Sequence, residues 1–583
     1  YGVAFDLLGQ LAWHVHHNLF GGTDEFLARH ALCFLVGWLG LLGTYRLGRL
    51  LAPQPMPLVA LALLILAPRW YGSSFTNPKD IPFAAAWVWA MVGLVRALRS
   101  PGTATTLRFA ALAAVCAAVR PFGALLLPLG AAALAVVAPT QARVRWLARQ
   151  WALLAGLLVA LLVALWPVLW TRPPWHVLRS IAALSRNIAG SPSLFFGTVH
   201  PFDAAPAAYA AVWTVIVLPG VTLVGLVCGL VAAVPALRRR PPRAVWLAWA
   251  LVGLWIAVPL VTPALRRVSL YDTSRQLLFV APAVSLVAAA GLVAAIRRLA
   301  RRGRALALVA AAAAAIAGLE VVVRAVRLHP YESLYFGPLV GGLPGARGRF
   351  DVAHYAETYR EGLTWIRAHA GPGARVHLFG NGSNVGSYYC WKLGLRLDTP
   401  EFEYFVAEAR QGWEDLLPGA VVHTIVREDT PLLVIKKVDA MATASGGWLQ
   451  AAADARWRPL PTVAGRLPAG TGPWAPAARL AIALDSPRAQ RVRIFVGYRG
   501  GMRIWSSGQV VFDREHMPAI FAGTAAFPGL VPIELELASG RNWLELELGR
   551  AVADPQIGVF FPAVFGLKTP LDAAPPPGPG RLR

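Results

Sequence analysis

About ten apolar runs between residues 30 and 325 constrain this chain more than any other feature. A helix that crosses a bilayer needs about 20 apolar residues, with a range of roughly 17–25. Runs fall at 30–51, 56–68, 80–98, 107–119, 121–138, 150–170, 209–236, 244–262, 276–296 and 304–325. The runs at 56–68 and 107–119 are short and lie beside proline breaks, so they are expected to stop partway, with broken backbone facing a cavity rather than lipid. Composition agrees: the 583 residues are 56% hydrophobic and only 15% charged, against about 25% charged in a soluble protein. That excludes a soluble enzyme throughout, and also disorder, collagen and a disulfide scaffold.

The net charge of +25 invites a nucleic-acid reading, but its distribution opposes one. The basic clusters sit at the ends of apolar runs, at Arg143, Arg145 and Arg149, at Arg238, Arg239, Arg240 and Arg243, and at Arg297, Arg298, Arg301, Arg302 and Arg304. No nucleic-acid partner is expected. Together with Arg46, Arg49, Arg96, Arg99 and Arg108 these make 17 basic residues without an acid in one set of alternate loops. The other set has nine, accompanied by Asp80, Asp203 and Asp272. The positive-inside rule places the first set in the cytoplasm. Residues 1–29, the acid-bearing loops and everything after 326 are then outside.

The resulting organisation is a polytopic α-helical membrane domain of about ten spans, then an extracytoplasmic α/β unit, then a β-sandwich or jelly-roll module. The boundaries are an external amphipathic segment at 1–29, the membrane domain at 30–325, an interfacial linker at 326–349, the α/β unit at 350–440, the β module at 475–567 and a disordered tail at 568–583. In the α/β unit, 355–370 reads as a helix, and Arg375–Phe379, Val421–Val426 and Pro431–Ile435 as strands, with a turn signal at Gly380-Asn-Gly. Short strands are expected at 478–484, 491–497, 501–505, 509–512, 533–537 and 543–548, joined by turns at Gly500-Gly501, Ser507-Gly508 and Ser539-Gly540. Trp505 and Trp543 read either as stacking platforms for a sugar or as core residues. Cys33, Cys116, Cys228 and Cys390 show neither a metal-ligand spacing nor a disulfide framework.

Chemistry is expected where charge meets the apolar runs. Lys79 and Asp80 open the run at 80, and a charge at membrane depth faces a cavity or a partner. Equally, Asp80 reads as a helix cap and Lys79 as a snorkelling lysine. Tyr271-Asp-Thr-Ser-Arg275 opens the run at 276. An external arginine there suits a phosphate, because its planar fork pairs oxygens bidentately. The alternative is an Asp272–Arg275 surface pair. Arg120, in Arg-Pro-Phe-Gly, is a further candidate or a plain interface anchor. His14, His16, His17, Asp24, Glu25 and His30 invite a metal, but no standard spacing completes a site.

Four stretches resemble bacterial polytopic glycosyltransferases of family 39, the protein-mannosyltransferase-like group of the C-type superfamily. They are Asp24-Glu-Phe-Leu-Ala-Arg-His30, Ser74-Phe-Thr-Asn-Pro-Lys-Asp-Ile-Pro-Phe83, Tyr271-Asp-Thr-Ser-Arg-Gln-Leu-Leu-Phe279 and His329-Pro-Tyr-Glu-Ser-Leu-Tyr-Phe336. The β segment is similar to jelly-roll modules appended to carbohydrate-active enzymes. The resemblance implies an enzyme of a bacterial inner membrane that moves a hexosyl or pentosyl group, with inversion, from a polyprenyl-phosphate carrier to a lipid, glycan or protein acceptor on the outer side. It implies Asp80 and Lys79 as catalytic residues. Tyr271, Asp272, Arg275 and Arg120 would bind the carrier phosphate. No cofactor is implied beyond an optional divalent metal ion, and no metal ligand is assigned. The family's first-loop acid should follow a first span that this chain lacks, since it opens at Tyr1. Asp6 falls later than that motif, Asp24 and Glu25 match the end of the loop, and Gln276 stands where the family often has His. The competing readings are a transporter or lipid flippase, and a non-catalytic envelope protein that binds glycan.

Overall fold

A computed structural model describes residues 4–22, 24–137, 143–166, 168–171, 193–200, 205–238, 242–266, 273–353, 356–379, 383–397, 402–410, 412–415, 419–437, 448–450, 458–460, 476–497, 502–506, 509–514, 531–549 and 558–560. Tyr271, Asp272, Arg172, Arg179, Arg186, Asp203, Arg239, Arg240 and Arg267 lie outside the described residues, as do the turns at 380–382, 500–501 and 507–508 and the tail from 568. The chain divides into two units, residues 1–187 with 203–346, and residues 188–202 with 347–583.

The first unit is helical. Its helices are α1 (Ala4–Phe20), α2 (Glu25–Leu51), α3 (Met56–Ile65), α4 (Pro68–Thr76), α5 (Asp80–Arg99), α6 (Thr103–Val119), α7 (Leu126–Val137), α8 (Arg143–Leu165), α9 (Val168–Thr171), α10 (Tyr209–Ile216), α11 (Gly220–Arg238), α12 (Arg243–Arg266), α13 (Ala281–Ala300), α14 (Arg304–Leu328) and α15 (Gly342–Ala346). Among the described residues, six helices are long and apolar enough to cross a membrane. The α3–α4 pair makes a seventh span if its 61° bend lies within one crossing. The chain is a multi-pass membrane protein. The expected runs at 107–119 and 121–138 form shorter apolar helices. The run expected at 209–236 is not continuous, because α10 ends before Leu218-Pro219 and α11 starts anew at Gly220. Proline removes a backbone donor and clashes with the preceding turn, so each such break coincides with one.

Helix α5 is the buried centre, with Ile81, Phe83, Val88, Leu94 and Val95 nearly inaccessible. Helix α14 is peripheral and turns Leu308, Val309, Ile316, Leu319 and Val326 outward, as a lipid-facing helix does. Helices α11 and α13 meet at glycines. A Cβ placed on Gly291 would lie 2.2 Å from the carbonyl oxygen of Gly225 and 2.2 Å from the amide nitrogen of Gly229. Small residues at such crossings let backbones approach and gain dispersion contact where no hydrophobic force drives helices together.

Helices α2 and α5 run side by side, and one end of this packing gathers arginines. The guanidinium of Arg46 lies 5.4 Å from the Trp89 ring, Arg99 donates to the Leu50 carbonyl, and Arg297 donates to the Gln54 carbonyl at 3.1 Å. Asp80 opens the opposite end of α5. Twenty helical residues span about 30 Å, the thickness of a bilayer core.

The second unit begins with a hairpin of β1 (Ser193–Phe195) and β2 (Thr198–His200). Asp351 holds this hairpin. It accepts from the Leu194 amide at 3.1 Å and from Ser193 Oγ at 3.2 Å, and pairs with Arg410 at 3.1 Å, both side chains being fully buried. A five-stranded sheet follows, in the order β4-β3-β5-β7-β6. Its strands are β3 (Arg375–Phe379), β4 (Arg396–Leu397), β5 (Tyr404–Glu408), β6 (Ala420–Arg427) and β7 (Thr430–Lys437). Strands β3, β4 and β5 are parallel, with helices α16 (Tyr359–Ala370) and α17 (Ser383–Leu393) among them, and β7 and β6 are antiparallel.

The remaining strands are β8 (Trp448–Gln450), β9 (Arg458–Leu460), β10 (Pro476–Ser486), β11 (Gln490–Gly497), β12 (Met502–Ser506), β13 (Gln509–Arg514), β14 (Val531–Leu537), β15 (Gly540–Gly549) and β16 (Gly558–Phe560). They form two antiparallel sheets, ordered β13-β12-β15-β10-β9 and β14-β11-β16-β8. Alternation places Leu544 and Leu546 in the core.

Candidate functional site

The site is built at three helix starts. Helix α4 ends at Thr76, and Asn77 turns the chain into α5. The Asn77 Oδ1 accepts from the Asp80 amide at 2.9 Å and from the Lys79 amide at 3.3 Å, satisfying two of the donors that a helix N-terminus leaves unpaired. Its Nδ2 donates to Asp80 Oδ2 at 2.8 Å. The capping role that Asp80 was expected to share therefore belongs to Asn77, and the Asp80 carboxylate is directed elsewhere.

That carboxylate pairs with two arginines. Arg120, in extended backbone between α6 and the 3-10 turn Pro121–Leu125, reaches Asp80 Oδ1. Arg275, first residue of the 3-10 turn Arg275–Val280, brings its Nη1 to 3.6 Å from Oδ2. Burying a carboxylate costs several kcal/mol, which only close opposite charge and hydrogen bonds offset. Here two guanidiniums face one carboxylate, so the cluster keeps an excess of positive charge. The Asp80 side chain is 2% exposed, whereas those of Arg120 and Arg275 are 17% and 13% exposed. An anion reaching the cluster meets guanidinium before carboxylate.

Aromatic rings lie beneath. Phe83 and Phe279 have centroids 5.1 Å apart, Trp87 and Phe279 5.0 Å, and Trp87 and Phe122 5.8 Å. The Arg120 guanidinium stands 5.9 Å from the Phe83 centroid. A ring face attracts a cation and does not compete for its N–H groups.

Asp80, Arg120 and Arg275 are thus brought together. Lys79 is exposed, and its backbone amide donates to Asn77 Oδ1 at 3.3 Å. Tyr271 and Asp272 lie outside the described residues, so no Asp272–Arg275 pair is described. Asn77 and Arg69 were not singled out from the sequence. Asn77 carried a signal, an Asn three residues before an apolar run. Arg69 carried one too, a charge between apolar neighbours in a membrane segment. Among the described residues, no group of three or more His, Cys, Asp or Glu comes together for a metal. Asp24 caps α2, accepting from Phe26 and Leu27 amides, and His17 Nδ1 lies 2.9 Å from the Gly22 carbonyl oxygen. A divalent ion does not fit at Asp80, because both carboxylate oxygens already face guanidinium.

Residues 8–170 match the family model described as dolichyl-phosphate-mannose-protein mannosyltransferase. Over this stretch the chain is similar to that family. The stretch includes Asn77, Asp80 and Arg120. No protein of curated function matches the sequence. Among solved structures, ArnT from Cupriavidus metallidurans bound to undecaprenyl phosphate is similar at 12% identity and a TM-score of 0.39, over 74% of this chain and 88% of that one. The apo oligosaccharyltransferase of Archaeoglobus fulgidus is similar at 11% identity and 0.39, over 98% and 87%. The arabinosyltransferase EmbB from Mycobacterium smegmatis gives 12% and 0.31, over 97% and 59%. Likenesses this distant carry no residue roles across.

Proposed function

We propose that this protein is a membrane glycosyltransferase that moves a sugar from a polyprenyl-phosphate carrier to an acceptor on the outer side of a bacterial inner membrane. The observation that supports it is the cluster of Asp80 with Arg120 and Arg275, net positive, half sealed and set over aromatic rings. The orientation rests on charge: the end of α5 away from Asp80 gathers Arg46, Arg99 and Arg297, and basic ends stay inside.

In this reading Arg120 and Arg275 hold the carrier phosphate. Transfer breaks the bond between the sugar C1 and the phosphate oxygen and forms one from C1 to the acceptor oxygen, whose proton leaves to a base. Negative charge grows on the departing phosphate, where fixed guanidinium forks stabilise it more in the transition state than before. Attack from the face opposite the phosphate inverts C1. Asp80 is a positioning residue, since both its oxygens are occupied. It aims the two arginines and limits their excess charge. Lys79, exposed beside it, adds positive potential for an arriving anionic headgroup. Tyr271 and Asp272, which lie outside the described residues, remain proposed phosphate-binding residues on the sequence resemblance alone. The two antiparallel sheets built from β8 to β16 suit a β-sandwich of jelly-roll type.

The test uses the full chain in proteoliposomes with polyprenyl-phosphate donors carrying a labelled hexose or pentose. Release of free polyprenyl phosphate together with label on an acceptor is expected, and its loss in Asp80→Asn at unchanged folding. Donor cleavage that never exceeds protein-free vesicles with any sugar overturns the reading.

A further inference from the structure

Arg69 lies near the site without contacting Asp80. It is 6% exposed, in the first turn of α4. Its Nε donates to the Tyr335 carbonyl at 2.8 Å, and its Nη1 donates to Thr273 Oγ1 at 3.2 Å and to Ser274 Oγ at 3.1 Å. Its guanidinium sits 5.0 Å from the Phe336 ring centroid and 5.8 Å from that of Trp213. Thr273 and Ser274 are the two residues before Arg275. Thr273 has φ +65°, a left-handed conformation that a β-branched residue rarely adopts. Such a residue persists only where its surroundings over-determine it. Arg69 is one such restraint: one guanidinium nitrogen donates to both hydroxyls of the turn, and Thr273 is wholly buried.

We propose that Arg69 is a positioning residue for Arg275, locking the 273–274 turn so that the Arg275 guanidinium is presented to an anionic headgroup. The proposal deepens the reading of the site as a carrier-phosphate site and rests on it. The chemistry asks for arginine. The fork spans a backbone carbonyl and two hydroxyls while its flat face lies against two rings, and a lysine ammonium, a point donor on a flexible stem, cannot make all of these at once. Helix α4 is held against the same 332–336 segment one turn further on, since a Cβ on Gly72 would meet the Ser333 amide nitrogen at 2.5 Å. The clamp therefore has a fixed base from which to hold the turn.

The experiment has two arms on the full chain in lipid nanodiscs. The first measures amide hydrogen exchange over 273–278 in Arg69→Lys. Faster exchange there, with α5 unchanged, is expected, and unchanged exchange overturns the clamp. The second measures affinity for undecaprenyl phosphate. Arg69→Lys and Arg275→Gln should each weaken it roughly tenfold, the worth of one charge-assisted hydrogen bond, and the double variant should be no weaker than Arg275→Gln alone. Additive losses, or wild-type affinity in Arg69→Lys, overturn the proposal. If Arg69→Lys does not fold, Thr273→Ala/Ser274→Ala removes the same bonds from the other side and must give the same tenfold loss, wild-type affinity overturning the proposal. Faster exchange beside a wild type blind to undecaprenyl phosphate upholds the clamp and overturns the phosphate reading on which its purpose depends.

Discussion

Asn77 holds Asp80 from both sides of its amide group: Oδ1 accepts the Asp80 backbone N–H at 2.9 Å, and Nδ2 donates to the Asp80 carboxylate at 2.8 Å. One side chain therefore starts the central helix and aims the acid toward the two arginines. Asn77→Ala removes a cap worth about 1 kcal/mol and frees the carboxylate to rotate. Its melting temperature in detergent should fall, and donor cleavage should fall with it. Asn77→Asp keeps the cap acceptor but brings a second carboxylate against Asp80, so it should recover the melting temperature better than the cleavage. Equal recovery of both would contradict the double role.

Helices α11 and α13 touch through glycine backbones, and Gly291 has no room for a methyl group. Gly291→Ala forces the helices apart and should cost roughly 1–3 kcal/mol, as overpacking does. Thermal unfolding of the purified protein should shift down, while polyprenyl-phosphate binding by the surviving fold stays as in the wild type. An unshifted transition would mean that the crossing is looser than the geometry requires.

In the second unit, Asp351→Asn leaves Arg410 buried without its carboxylate. Breaking such a pair costs about 3–5 kcal/mol. The Leu194 amide loses its acceptor charge at the same time. Hydrogen exchange at Leu194 should rise by orders of magnitude, and the β3–β7 sheet should unfold at lower denaturant. Retained protection at Leu194 would show that the hairpin is held by its aromatic contacts, Phe195 against Phe350 at 5.8 Å, rather than by the ion pair.

His423 stacks on Trp365, with centroids 4.7 Å apart and planes 6° from parallel. Burial pushes its pKa below the usual 6.5, Glu361 pulls it up, and His369 pushes it down. A histidine lowered on folding binds fewer protons in the folded state than in the unfolded one. Its contribution to stability is present above pH 6.5 and is lost as the pH falls through the lowered value. NMR titration should give a midpoint under 6.5, lower still in Glu361→Gln and higher in His369→Asn. A midpoint above 6.5 in the wild type would reverse the assignment of burial as the leading cause.

The helices were legible because bilayer thickness sets a length that apolar runs disclose. The breaks were less so: 209–236 reads as one run, and only Leu218-Pro219 divides it. Asp80, Arg120 and Arg275 each stood out as charge beside an apolar run. Their convergence was expected from the family resemblance and not from spacing, because tertiary packing joins residues so far apart in sequence. Lys79 was joined to Asp80 by adjacency, yet neighbours on a helix point in different directions, and Lys79 is exposed. Asn77 was overshadowed by the charged pair that follows it. Strand β5, Tyr404–Glu408, escaped notice because it is short and has an acid at its end and another just before it. Strands β3, β6 and β7 alternate or run apolar and were anticipated nearly to the residue.

The central claim is that Arg120 and Arg275 hold a lipid-borne phosphate. Either arginine can be removed while the other still pairs with Asp80. The direct measurement compares nanodisc binding of polyprenyl phosphate with that of the same polyprenol lacking phosphate, in the wild type, Arg120→Gln and Arg275→Gln. The account predicts a wild-type preference for the phosphate that drops roughly tenfold in each variant, with polyprenol binding unchanged. A preference that survives both substitutions, or a wild type that does not distinguish the two lipids, would contradict it.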